Sequence, residues 1–198
     1  MRKGEATRER IIGEALTQAV NSGLESMSIG PLADSLGLSK SGLYAHFGSK
    51  EALQLAILEE AIERFRLLVI APGLQHPPGL ERLRALYLSY LDWIKGGHAA
   101  GGCPFVTFVQ EFDDKPGPLR NLLASSQSKW RLLLSRCVTE AVRDGELPDD
   151  IDANQVVFEA VGAALSYQVS VRLLNDNAAH RRAIKAFERI VSRHSFKA

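Results

Sequence analysis

Apolar residues recur along this chain with helical spacing almost from end to end. Ile11, Ile12, Ala15, Leu16, Ala19 and Val20 repeat every four residues in adjacent pairs, which lays one apolar stripe along a first helix, and Gly23 ends it. Ser28 is expected to cap a second short helix carrying Ile29, Leu32, Ala33 and Leu36. Pro31 falls in its first turn, where a missing N–H costs no intrahelical bond. Gly37 ends that helix. Ser39 caps a third short helix with Leu43 and Phe47 inward, Gly48 closes it, and Ser49 caps a long fourth helix expected to reach about Val69.

Breaks divide the rest. Residues 71–79 hold three prolines, 96–104 four glycines, and 113–118 and 144–152 clusters of Pro, Gly and Asp. Helical patterns lie between them, near 80–95, 105–112, 118–143, 153–175 and 178–194. No alternating strand run, internal repeat or low-complexity tract interrupts them. The expected fold is all-α, with about nine helices in two domains, 1–50 and 51–198.

Composition narrows the function classes. The chain has 198 residues, 45% hydrophobic and 24% charged, as in an ordinary globular protein with a real core. Its net charge is +1, and the first fifty residues carry six Lys/Arg against five acids, so any nucleic-acid argument must rest on placement. Two cysteines, Cys103 and Cys137, are too few for a disulfide framework or a cysteine-based zinc site. His46, His76, His98, His180 and His194 are scattered, with no metal-ligand spacing. No phosphate loop, nucleophile elbow or zinc-protease motif appears, so neither a cofactor nor an enzyme is expected. No apolar leader follows the start and no run of about 18 apolar residues occurs, so the expectation is a cytoplasmic protein without a membrane partner.

Placement does favour DNA. Gly37-Leu38-Ser39 can form the tight turn of a helix-turn-helix: a left-handed glycine, a leucine plugging the angle, and a serine restarting the chain. With Leu43 and Phe47 inward, Ser41 and Ala45 face out, flanked by Lys40, Gly42, Tyr44 and His46. Small outward residues allow close approach, and the flanking cation, phenol and imidazole can bond phosphates or base edges. Lys50 sits in the first turn of the fourth helix, where the helix dipole disfavours a cation. With Ser49 and the free N–H groups it makes an anion site. On the residues alone, Tyr44 can equally pack against the fourth helix and His46 can be a surface histidine.

The stretch from Ser28 to Glu51, SIGPLADSLGLSKSGLYAHFGSKE, resembles the signature of the tetracycline-repressor (TetR) family, from a Ser/Thr opening helix two through Gly-x-Ser to Leu-Tyr-x-His-Phe and Ser-Lys-Glu. The likeness covers about residues 6–55; beyond it only length and helical layout agree. It implies a dimeric repressor or regulator with a ligand-responsive C-terminal domain. By family position Lys40, Ser41 and Tyr44 would face bases, and Ser28, His46 and Lys50 would contact phosphates. Gly42 stands where many members have Thr, and Gly30 is small where a side chain often reaches DNA, which leaves base readout to Lys40 and Tyr44. Arg2, Lys3 and Arg8 are placed to reach DNA from a mobile arm.

Later segments fit that frame. The helix near 153–175 is rich in small residues, with Val157, Val161, Leu165 and Val169 read as a stripe, and the helix near 178–194 carries Ala183, Ile184, Phe187, Ile190 and Val191. Two such helices from each of two copies would make a homodimer interface, as the family layout suggests; packing within one chain is the alternative. An effector pocket is expected among Phe65, Tyr87, Tyr90, Cys103, Phe108, Phe112, Trp130 and Tyr167, with Gln110 and Gln127 as further polar groups and an apolar or neutral small molecule as ligand. The same aromatics also suit an ordinary core. Cys103, before Pro104 at a helix start, is either a reactive thiol or a small buried residue, and Cys137 lies in an apolar stripe with Leu133. Three readings follow: a ligand-gated repressor on double-stranded DNA, a helix-turn-helix protein without a small effector, and a helical enzyme or carrier. A duplex-binding assay separates the third, and an effector screen on the complex separates the first two.

Overall fold

The computed structural model describes residues 3–96 and 102–193. Arg2, the Lys3 side chain, His98 and His194 lie outside the described residues. Within them the chain is helical and no strand occurs: α1 (Lys3–Ser22), α2 (Ile29–Ser35), α3 (Lys40–Phe47), α4 (Lys50–Phe65), the single turn α5 (Ala71–Gly73), α6 (Leu80–Lys95), α7 (Pro104–Phe112), α8 (Pro118–Arg143), α9 (Ala153–Arg172) and α10 (Ala179–Arg193). A π-helical turn, Arg66–Ile70, joins α4 to α5 without a break, so the described residues form nine helical rods. The all-α class is the one the periodicity predicts.

That fourth rod differs from expectation. It runs past Val69 to Gly73 and takes Pro72 inside it. In a regular α-helix the Pro72 ring would strike the Leu68 carbonyl. The π-turn, closed by the Ala71 N–H on the Arg66 carbonyl five residues back, replaces the regular α-turn just before the proline.

The chain divides into two compact units. The first is Met1–Arg64 with Ala99–Ser126. The whole α1 stripe from Ile11 to Val20 is buried there, together with Leu24, Leu32, Leu43, Leu53, Ile57 and Phe108. Each of the larger side chains, Ile, Leu, Val or Phe, contributes about 1.5–3 kcal/mol by leaving water. The second unit is Phe65–His98 with Gln127–Ala198. Its core joins Leu86, Leu91 and Ile94 of α6 to Val138, Val156, Ala164 and Phe187. Arg84 grips Glu188 with both arms of its guanidinium, at 2.7 and 2.9 Å. That grip holds the Glu188 carboxyl below the usual range.

The expected stripe on α9 is split. Val157 and Val161 face the chain's own core, whereas Leu165 and Val169 are exposed. A strict spacing of four drifts by about 40° per step on a 3.6-residue helix, so the four cannot share one face. The outward apolar row is instead Phe158, Leu165, Val169 and Leu173, with Phe158 68% and Leu173 74% exposed. On α10, Ala183, Phe187, Ile190 and Val191 are all buried within the chain.

Candidate nucleic-acid interface

The turn between α2 and α3 is built as its residues demand. Gly37 takes φ +65°, its N–H donates to the Asp34 carbonyl (3.2 Å), and the Leu38 N–H donates to the Ala33 carbonyl (2.9 Å). This paired closure satisfies the last carbonyls of α2. Ser39 then accepts the Gly42 N–H at 3.0 Å and starts α3. Leu32, Ala33 and Leu43 lock the inner side of the two helices.

What remains outward on α3 is Lys40, Ser41, Tyr44 and Ala45, all exposed. Tyr44 is 44% exposed. His46 and Phe47 are half-buried. The Lys40 stem lies across Gly30, where an added Cβ would meet its Cε at 3.1 Å, so the bare surface of α2 is covered by a lysine.

Two expectations need correction. Ser28 has the extended backbone of a cap, yet its hydroxyl makes no capping bond. The third residue of α2 is Pro31, which has no N–H to donate. Arg8 is not in a mobile arm: it lies within α1, and its guanidinium sits over the Phe47 ring at 5.2 Å. The Ser49–Lys50 corner also bonds within the chain, while both residues stay exposed. The Ser49 hydroxyl accepts the Ala52 N–H (3.0 Å), and Lys50 Nζ donates to the Glu25 carbonyl (2.7 Å).

Lys50 thereby points to residues that sequence reasoning missed. The turn after α1 is clamped from two sides. Gln54 of α4, nearly buried, donates to the Leu24 carbonyl at 3.0 Å. Glu111 of α7 accepts the N–H groups of Leu24 and Glu25 at 2.8 and 3.1 Å. Lys115 pairs with the Glu25 carboxylate. Gly23 makes room: it has φ +92°, and a Cβ there would fall 1.9 Å from Glu111 Oε1. The segment that leads into α2 is thus fixed by α4 and α7, and no local pattern announces a partner 87 residues away.

The expected effector residues separate into groups. Phe65, Tyr90 and Trp130 come together in the second unit, with Trp93 added. Phe65 meets Tyr90, Trp93 and Trp130 edge to face at 5.9, 5.4 and 5.1 Å. Tyr87 stacks on Phe187 at 4.3 Å and donates its hydroxyl to the Ala183 carbonyl, and burial raises its pKa. Tyr167 is buried beside His180, ring to ring at 5.8 Å, and its hydroxyl has no hydrogen-bond partner. Cys103, Phe108 and Phe112 belong to the first unit, all buried, with Cys103 at the start of α7. Gln110 is exposed. Cys137 is buried, as expected, and its thiol is pushed up to about 11. Among the described residues no group of His, Cys, Asp and Glu is placed to hold a metal, and no helix is long and apolar enough to cross a membrane.

Known proteins share this arrangement. Residues 11–57 match the family model for bacterial regulatory proteins of the tetR family. Residues 79–187 match the tetracyclin repressor-like C-terminal domain. The HTH-type transcriptional regulator TcmR of Streptomyces glaucescens is 26% identical over 181 residues, covering 88% of this chain and 78% of that protein. The crystal structure of a TetR transcriptional regulator from Chloroflexus aurantiacus J-10-FL superposes with a TM-score of 0.90 at 25% identity, over 98% of each chain. The structure of AibR in complex with isovaleryl coenzyme A and operator DNA shares the fold, with a TM-score of 0.72 at 19% identity over 93% of this chain and 97% of that one. These matches are to regulators, not enzymes. With its exposed α3 mounted on a locked helix-turn-helix, and with both parts matched in chain order, this chain belongs to the TetR family of DNA-binding bacterial transcriptional regulators.

Proposed function

We propose that the chain is a ligand-gated repressor that binds a palindromic operator as a homodimer, in the cytoplasm beside the chromosome. The observation that carries this reading is the outward face of α3, which is exposed while its inner face is locked by Leu43. On it Lys40, Ser41 and Tyr44 contact bases. Ser28, with its uncapped hydroxyl, His46 and Lys50 contact phosphates, and Ser39 sets the start of the helix. Residues 1–50 read DNA, and 51–198 pair the copies and sense the effector. Support for pairing is the outward row Phe158, Leu165 and Val169 of α9 with Leu173 just after it, too large and too aligned to be left in water. Support for an effector comes from the ligand- and operator-bound AibR, and for repression from the description of the C-terminal family model. The ligand is a small apolar or neutral molecule, in keeping with the uncharged aromatic interior of the second unit.

The test is selection of bound duplexes from a random pool. A palindrome with half-sites about one helical turn apart is expected. Tyr44→Ala should weaken binding to it by roughly 1–3 kcal/mol while changing binding to random DNA less. No enriched sequence, or equal losses on both DNAs, would defeat the proposal.

A further inference from the structure

Phe65 stands at the centre of an aromatic box. Tyr90 and Trp93 of α6 and Trp130 of α8 present themselves to it at interplanar angles of 82°, 86° and 89°. Tyr90 and Trp130 also meet each other, at 5.6 Å. All four residues are at least nine-tenths buried and lie in the second unit. Edge-to-face contact is the arrangement in which an aromatic ring is held by its quadrupole, and a ring brought by a ligand would be held in the same way. None of the four carries a formal charge at neutral pH.

Two further observations separate this box from ordinary core. Trp93 and Trp130 are 4% and 5% exposed, and the Nε1–H of each, a donor only, has no hydrogen-bond partner. The residue after Phe65 begins the π-turn Arg66–Ile70. A π-turn interrupts an α-helix rarely, and frequently at a functional site. Phe65 therefore stands directly before an irregular stretch of backbone.

We infer that Phe65 is an internal stand-in for the effector: the effector is a flat, neutral aromatic molecule with a hydrogen-bond acceptor, which displaces the Phe65 ring from the box and accepts from Trp130 Nε1. This rests on the ligand-gated reading above and names the ligand class of that gate. Phe65 is the last residue of α4, the helix that begins at Lys50. Expelling its ring turns the end of the rod that also carries Gln54 and Lys50, the two α4 groups bonded to the turn ahead of α2.

The chain has two tryptophans, both in the box, so indole N–H resonances of the full-length protein labelled with 15N-tryptophan report on this place alone. The probes are fluorenone and fluorene, one tricyclic frame with and without a carbonyl acceptor. Fluorenone should shift the Trp130 resonance downfield, assigned with Trp93→Phe, and should bind about tenfold more tightly than fluorene, the worth of one hydrogen bond. Trp130→Phe keeps a ring and should erase that preference. Phe65→Leu, which gives up the edge-to-face contacts but keeps the core filled, should bind fluorenone about tenfold more tightly than the parent. The inference is overturned by an unmoved Trp130 resonance in both the parent and Phe65→Leu, by a preference that survives Trp130→Phe, or by weaker binding to Phe65→Leu. The gating reading fails separately: fluorenone seated in the box with the selected operator duplex still fully bound would sink gating and leave the displaced ring standing.

Discussion

Gly23 and Glu111 make one joint, because the carboxylate occupies the space a side chain at 23 would need. Gly23→Ala should destabilise the protein by about 2 kcal/mol or more, from left-handed strain and collision together. Glu111→Ala should cost about 1–3 kcal/mol by leaving two N–H groups without their acceptor. In the double variant the collision is gone and the strain remains, so urea denaturation should give less than the sum; strict additivity would contradict the joint. Cys137 supplies a pH effect. Burial pushes its thiol up to about 11 from a reference of 9.0, so the folded state favours the protonated form. Its contribution is complete below about pH 9 and is lost as pH rises through about 11. Burial raises Tyr87 in the same sense, so the comparison is with Cys137→Ala, whose stability should fall less steeply across that interval. Gly37 and Ser39 were legible in sequence because a left-handed turn and a helix cap act on neighbours. Glu111 was not, because its acceptor role exists only after α7 has folded beside the α1 turn.

At the scale of elements, the helices were readable from their periods and the π-turn was not. A proline after apolar helix reads as a stop; here the widened turn lets the helix pass it. Leu67 and Leu68 on this stretch are exposed. Amides of 66–71 should exchange with deuterium faster than those of 53–64 in the same rod, and equal protection would show that the π-turn is as rigid as its neighbours. The reader was legible for the opposite reason. α3 is short, and every feature that sets it, from the Gly37 closure to the Ser39 cap and the Leu43 anchor, lies within ten residues of it. The exceptions were contacts with other elements: Arg8 on Phe47 and Lys50 on Glu25.

For the molecule as a whole, the periodicity yielded the fold class, while the face of α9 that would meet another copy needed coordinates. Val157 and Val161 turn into the chain's own core, whereas Phe158, Leu165, Val169 and Leu173 lie on the exposed side. Leu165→Glu with Val169→Glu leaves the chain's own core untouched. It should convert a sedimenting dimer into a folded monomer and weaken operator binding by at least about tenfold. A dimer that persists would remove α9 from the interface. The aromatic residues were the least legible, since a list cannot say which rings meet. The fold gathers Phe65, Tyr90 and Trp130 and leaves Tyr87 bonded to its own core. Inheritance puts a different light on the fourth rod. Its extra residue and its proline compensate each other: deleting one residue from 66–70 alone would drive the Pro72 ring into a carbonyl, and replacing Pro72 alone would leave a bulge with nothing to accommodate. The two are expected to be gained and lost together, so the length of this helix is a trait that single mutations cannot easily change.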